Sequence, residues 1–290
     1  MDDFSQRMKQ AMKEPRSIIT LLTDFGEQDG FIGVMKGVML QIAPHACFVD
    51  ISHRLPAFSI AAAAFLNHWS YGYFPAGTVH LCVTDPGVGT GRRALIAETA
   101  GHLFVAPDNG LLTPLFDQPE SMRIFSATDS RYWLDAVSGT FHGRDIFAPL
   151  AAHLARGVRP EAMGEEIRDP VRLSLPSPVV QPRLIECAVV YIDRFGNLVT
   201  NLDKKTLRQW IQNNGVSSEK IAIVLGKDKI QGLSAAYGMK EKGELLAAID
   251  GFDRLEIAVR EGDAEAKTGL RIGSKILIAA SEEAMAEGGE

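Results

Sequence analysis

Apolar and polar positions follow two different rhythms along this chain. Residues 17–26, SIITLLTDFG, form an apolar run closed by an aspartate and a glycine, and residues 31–43, FIGVMKGVMLQIA, then place apolar side chains at helical spacing. CFVDIS (47–52) returns to strand character, so the three segments predict a strand–helix–strand unit. The pattern repeats in the Ala-rich SIAAAAFLNHWSYGYF (59–74) and the buried-strand run TVHLCVTD (78–85). Together they predict an α/β domain with a mostly parallel sheet covered by helices. ALIAETAGHLFVAPD (94–108) reads as a hairpin turning at Ala100-Gly101, GLLTPLF as a short helix, and RDIFAPLAAHLARG (144–157) as a helix stopped by Gly157. Pro176, Pro178 and Pro182 interrupt RLSLPSPVVQPR (172–183), which marks a boundary between a domain at 16–175 and another at 183–282. Beyond it LIECAVVYID, KIAIVLG, RLEIAVRE and SKILIAA are short strand-like segments around one helical stretch, KKTLRQWIQ. They predict a smaller, mainly β domain, either barrel or sandwich.

Composition narrows the function classes. A length of 290 residues favours two domains, and 46% hydrophobic with 23% charged residues is ordinary globular usage. No apolar run approaches the ~20 residues that span a bilayer, so no membrane partner is expected. A formal net charge of −6 argues against a general nucleic-acid binder and for a small-molecule ligand. Cys47, Cys82 and Cys187 have no metal-like or disulfide-framework spacing and read as core thiols in a reducing cytoplasm. The polar first fifteen residues lack the apolar core of a signal peptide and read as a frayed tail; the acidic SEEAMAEGGE at 281–290 reads as a second mobile tail.

Candidate chemistry gathers in five loops. TDFGEQDG (23–30) carries Asp24 after a strand and Asp29 before a helix, where carboxylates either cap or accept hydrogen bonds from ligand hydroxyls. VTDPGVGTGRR (83–93) carries Asp85 and Arg92; its glycines imitate a dinucleotide loop, but a strand rather than a helix follows, which excludes that reading. In VAPDNGLL (105–112) Asn109 belongs to a turn and also has an amide able to read a polar ligand edge. GTFHGRDIF (139–147) places His142 on a Gly-flanked loop and Asp145 in a first helical turn, where it suits the helix dipole. His45, His53, His68, His80, His102 and His153 read as satisfied structural histidines. In YIDRFGNLVTN (191–201) Asp193 and Asn197 bracket a turn that is either a plain hairpin or a ligand loop. No nucleophile elbow, HExxH or Walker sequence occurs, and no metal-ligand spacing is recognisable.

In this order, TDFGEQDGFIGVMKGV, VTDPGVGTGRR, VAPDNGLL, TFHGRDIFAP and IDRFGNLVTN resemble the S-adenosyl-L-methionine hydrolases, also called S-adenosylmethionine hydroxide adenosyltransferases. The resemblance runs from about Ser17 to Ala280 and extends to the fluorinating and chlorinating relatives of that family. It implies an N-terminal α/β domain, a C-terminal β-barrel, no cofactor, and a homotrimer with active sites between subunits. It also implies a catalytic set of Asp85, Arg92 and His142, where the halogenating enzymes look to carry a tyrosine, an uncharged residue and another tyrosine. The longer insertion those enzymes have after RRALIAETA is missing here. By the same matching Asp24 would hold the ribose hydroxyls, Asn197 the adenine, and Asp29 and Asp193 the methionine ammonium, with Asn109 and Phe252 also lining the substrate site. Where relatives often read Asn-Ser-Phe-Gly-Tyr this chain reads DGFDR (250–254), which replaces the serine by Gly251 and the tyrosine by Arg254. Attack at C5′ of a sulfonium ribose releases a neutral thioether, so the site need only position and desolvate a water whose proton a histidine takes or relays. The competing readings are a non-catalytic nucleoside binder and, less favoured by the charged set, a halogenase.

Overall fold

The computed structural model describes residues 17–99, 101–116 and 122–280. The chain divides into two compact units between Leu173 and Ser174. The two expected tails, and Ala100 of the expected turn, lie outside the described residues.

In the first unit, strands β1 (Ile18–Thr23), β2 (Cys47–Ser52), β3 (Thr78–Val83), β4 (Ala94–Glu98), β5 (His102–Pro107), β6 (Arg123–Ser126) and β7 (Glu165–Ile167) form one sheet in the order β2-β1-β3-β5-β4-β6-β7. Side chains alternate across a sheet. Ile19, Leu21, Val79 and Leu81 therefore face one layer, packed with Met35 and Met39 of the helix Phe31–Ile42 and with Leu150, Ala151 and Leu154 of the helix Ala148–Ala155. Thr20, His80 and Cys82 face the other layer, where Cys82 donates to Asn67 of the helix Ile60–Ser70. His80 holds Thr20 at 2.8 Å and stacks on Phe104, and burial pushes its pKa down to about 3, as a structural histidine requires.

The sheet is mixed rather than mostly parallel. β1 pairs parallel with β2 and β3, and β3 with β5, but β5–β4, β4–β6 and β6–β7 are antiparallel. The cause is local: the few residues between β4 and β5 permit only a hairpin, whereas a parallel return needs a dozen or more. The hairpin between β4 and β5 is the one expected; the further antiparallel pairs β4–β6 and β6–β7 were not, because β6 and β7 are too short to show a period. Cys82 and Cys187 are buried, but Cys47 is exposed because β2 is an edge strand, so the core-thiol reading fails for Cys47.

In the second unit, β8 (Val179–Val180), β9 (Leu184–Ile192), β10 (Leu198–Asp203), β11 (Ala222–Leu225), β12 (Asp228–Gln231), β13 (Leu245–Ile249), β14 (Arg254–Val259) and β15 (Lys275–Ala279) pair antiparallel in the order β12-β11-β15-β9-β10-β14-β13, with β8 on β9. Strands β12 and β13 come against each other, which nearly closes a barrel. The helix Lys204–Asn213 is capped by Asp203, which accepts from Thr206 N at 2.8 Å, and turns Leu207 and Trp210 into the barrel core. Among the described residues no helix is long and apolar enough to cross a membrane.

Candidate active site

The loop after β3 makes two consecutive turns. Val88 N bonds Asp85 O at 3.2 Å, and Thr90 N bonds Gly87 O at 3.2 Å, so the chain doubles back and sets Arg92 beside Asp85. Arg92 Nε donates to both Asp85 oxygens, at 3.0 and 2.9 Å, and Nη2 donates to Oδ2 as well. The pair is largely out of water, with side-chain exposures of 9% and 5%, and the guanidinium lies 4.8 Å from the Phe147 ring centroid. Asn109 reinforces the loop from behind. Its Nδ2 donates to Thr84 O at 2.8 Å and its Oδ1 accepts from Leu111 N, so its amide is spent on backbone next to Asp85.

His142 reaches this pair from fifty residues away, because a π-helical turn at Gly143–Phe147 opens the helix Ala148–Ala155 and lifts His142 onto its rim. Such turns recur at functional sites. Arg92 Nη2 lies 2.9 Å from His142 Nδ1. Arginine has no acceptor, so Nδ1 must offer its lone pair and a neutral ring carries its proton on Nε2. Burial and then the Arg92 charge hold His142 below the ordinary histidine pKa, against the opposite pull of Asp85, Asp145 and the Ser138 carbonyl. Asp85, Arg92 and His142 thus form one hydrogen-bonded chain with a positive centre.

Asp24 stands on an adjoining loop. Phe25, its neighbour, packs edge-on against Phe141, the neighbour of His142, with centroids 6.1 Å apart. Asp24 Oδ2 accepts from Phe58 N at 2.8 Å and holds Phe58 at a φ of 66°, a conformation bulky residues rarely adopt. Asp29 is exposed and borders a separate cavity of about 310 Å³ with Glu27, Asp50 and His53. It is not hydrogen-bonded into the Asp85–Arg92–His142 chain.

The remaining candidates belong to the second unit. Asp193 accepts from Phe195 N, Asn197 N and Asn197 Nδ2 at 2.8–2.9 Å, which closes the turn between β9 and β10 upon itself. Phe195 at its tip is 74% exposed. Phe252 is exposed in the tight DGFDR turn, where Asp250 Oδ1 accepts from Phe252 N and Arg254 N at 2.8 Å. Sequence reasoning missed Glu256, buried on β14 with Tyr237 Oη donating to it at 2.6 Å; burial and then the nearby Asp250 and Asp193 push its pKa up to about 7. The alternation of RLEIAV, which turns a charged residue inward, was the available signal. Among the described residues no group of three or more His, Cys, Asp or Glu is placed to hold a metal ion.

The sequence pattern of the SAM hydroxide adenosyltransferase N-terminal domain matches residues 19–164, and that of the C-terminal domain matches residues 187–277. The chain belongs to the SAM hydroxide adenosyltransferase family. Within it, the chain is 34% identical over 268 residues to the (R)-S-adenosyl-L-methionine hydrolase of Thermus thermophilus, covering 90% of this chain and 98% of that protein. The fluorinase of an Actinoplanes species is more distant, 27% identical over 219 residues, covering 66% of this chain and 74% of that protein. The crystal structure of an uncharacterized conserved protein from Thermotoga maritima superposes with a TM-score of 0.83 at 34% identity, covering 90% of this chain and 99% of that one. In this member of the family, then, the N-terminal domain carries the Asp85–Arg92–His142 chain and the C-terminal domain the Asp193–Asn197 turn.

Proposed function

We propose that this chain hydrolyses S-adenosyl-L-methionine to adenosine and L-methionine, and that like its named relative it takes the R epimer at sulfur. The observation that carries the reading is the continuous chain from Asp85 through Arg92 to His142. The water oxygen bonds to C5′, the C5′–S bond breaks with its electron pair on sulfur, and one water proton is released. Because the leaving thioether is neutral, no acid and no cofactor are required.

Asp85 fixes the orientation of Arg92, whose charge stabilises hydroxide character on the attacking oxygen. The Nδ1 lone pair of His142 already faces Arg92, so that nitrogen orients Arg92 instead of taking the water's proton. The water's proton passes to bulk solvent as the C5′–O bond forms, so the attacking oxygen carries the partial negative charge that Arg92 stabilises. Asp24 holds the ribose hydroxyls, while Asp193, Asn197 and Phe252 serve the adenine and methionine groups, with Asp29 near the ammonium.

The test is incubation of both sulfonium epimers in ¹⁸O-labelled water with chloride present. Labelled adenosine from the R epimer is the expected product, with ¹⁸O on the 5′-hydroxyl; unlabelled adenosine or 5′-chloro-5′-deoxyadenosine would refute the reading.

We assign the working form as a homotrimer with sites shared between subunits. Support comes from the helix Phe31–Ile42, mostly apolar apart from Lys36 and Gln41, with Phe31, Val34 and Leu40 at 44%, 46% and 44% exposure in the single chain. Light scattering is expected to read three protomers or a multiple; a fully active monomer overturns the assignment.

A further inference from the structure

The segment Ser138–His142 is fastened at both ends. At its start Asp145 Oδ2 accepts from Ser138 N at 2.8 Å and from Ser138 Oγ at 2.6 Å, and Ser138 Oγ in turn accepts from Phe141 N at 3.1 Å. At its end Arg144 N and Asp145 N both donate to Phe141 O at 3.1 Å. Across the gap, the backbone of Gly89 lies so close that a Cβ there would stand 2.4 Å from Gly139 O. The segment can therefore neither move toward the Asp85 loop nor swing away from it.

Asp145 is more than the dipole partner its place in the sequence implies. Its residue is 0% exposed, and burial opposes its charge, yet hydrogen bonds from Arg144 and Ser138 hold its carboxyl below the usual range. A buried ionised group adds little stability that a well-packed apolar residue of similar volume would not. What the carboxylate does supply is direction, because its two bonds to Ser138, whose hydroxyl in turn accepts from Phe141 N, fix the backbone of the residue that precedes His142.

We infer that Asp145, acting through Ser138, is a positioning residue that holds the His142 ring at hydrogen-bonding distance from Arg92. This rests on the hydrolase reading only in that His142 works on the substrate. The ordering of the ring itself is measurable without any reaction.

Ser138→Ala removes the half-buried hydroxyl and leaves the backbone bond to Asp145, Ser138→Thr restores the hydroxyl, and Asp145→Asn removes the charge. With the R epimer, Ser138→Ala and Asp145→Asn are expected to lower kcat by ~10-fold or more at nearly constant KM, since displacement by about an ångström costs up to ~10²-fold. Ser138→Thr is expected to recover most of the loss. The groups facing His142 are Arg92, Asp85 and Asp145. Asp145 raises the His142 pKa, so its neutralisation lowers that pKa further, and the acid limb of the pH–rate profile is expected to move to lower pH. In ¹⁵N-histidine-labelled protein without substrate, the wild type is expected to show His142 as the single Nε2–H tautomer and Ser138→Ala a tautomer mixture. Folded variants with unchanged kcat, acid limb and His142 signals overturn the inference. If the His142 signals change while no protein hydrolyses either epimer, the hydrolase reading falls and the positioning role stands.

Discussion

Arg92→Ala is expected to lower kcat by at least ~10²-fold while leaving KM nearly unchanged, as loss of one preorganised electrostatic donor does. Arg92 donates to Asp85 and His142 at once, so its removal takes away the central charge and releases both neighbours. It also leaves Asp85, with its side chain 5% exposed, without its cation. Breaking a buried pair on one side costs about 3–5 kcal/mol, so a lower Tm accompanies the kinetic loss. Arg92→Lys separates the two effects. It keeps the charge but not the planar fork that spans two acceptors, and should restore much of the Tm but only part of kcat. Asp24→Ala should behave oppositely, because ribose contacts exist in both ground and transition states; KM should rise and kcat should change little. Steady-state kinetics on the three variants decides the matter, and equal losses of affinity alone in Arg92→Ala and Asp24→Ala would remove the roles given to both.

Such roles were unequally legible in the sequence. The strands SIITLL, CFVDIS and TVHLCV and the helices between them announce themselves by period, because each must bury a face. The hairpin in ALIAETAGHLFVAPD was legible too, but RIFS and EEI, which continue the antiparallel half of the sheet, are too short to show a period, so the sheet read as mostly parallel. The strand LLAAI at Leu245–Ile249 has no alternation and no β-branched enrichment until its last residue, so it stayed hidden in a loop-rich stretch. Asp85 and Arg92 are seven residues apart across a glycine-rich turn, and local geometry alone makes their contact plausible. Their contact with His142 depends on where a π-helical turn leaves one ring fifty residues downstream, and the helical period of RDIFAPLAAHLARG conceals that turn. Likewise, nothing in PDNG or IDRFGN tells whether the side chains of Asn109 and Asp193 serve a ligand or their own backbone. In the single chain both are tied to backbone.

Gly89→Ala tests whether the closeness of the two loops matters to the chemistry. Gly89 has a φ of +80°, and its added Cβ would lie 2.4 Å from Gly139 O, a backbone atom that cannot rotate aside. Ordinary contact begins at 3.4 Å, so the loops must part by about 1.0 Å (3.4 − 2.4). Gly89 shares its loop with Arg92 and Gly139 its segment with His142, so parting the two is expected to lengthen the 2.9 Å contact beyond hydrogen-bonding range. The expected loss in kcat is on the order of 10²-fold. The backbone strain adds about 1–3 kcal/mol of destabilisation, a fall of a few degrees in Tm for a unit of this size, so the protein stays folded at 25 °C. Gly91→Ala is the control from the same turn, since a Cβ there meets nothing within 4 Å and its φ is ordinary. Its kcat should stay near that of the parent. If Gly89→Ala turns over as fast as Gly91→Ala, the spacing between the Asp85 and His142 loops is a matter of packing alone, and the link from Arg92 to His142 loses its catalytic meaning.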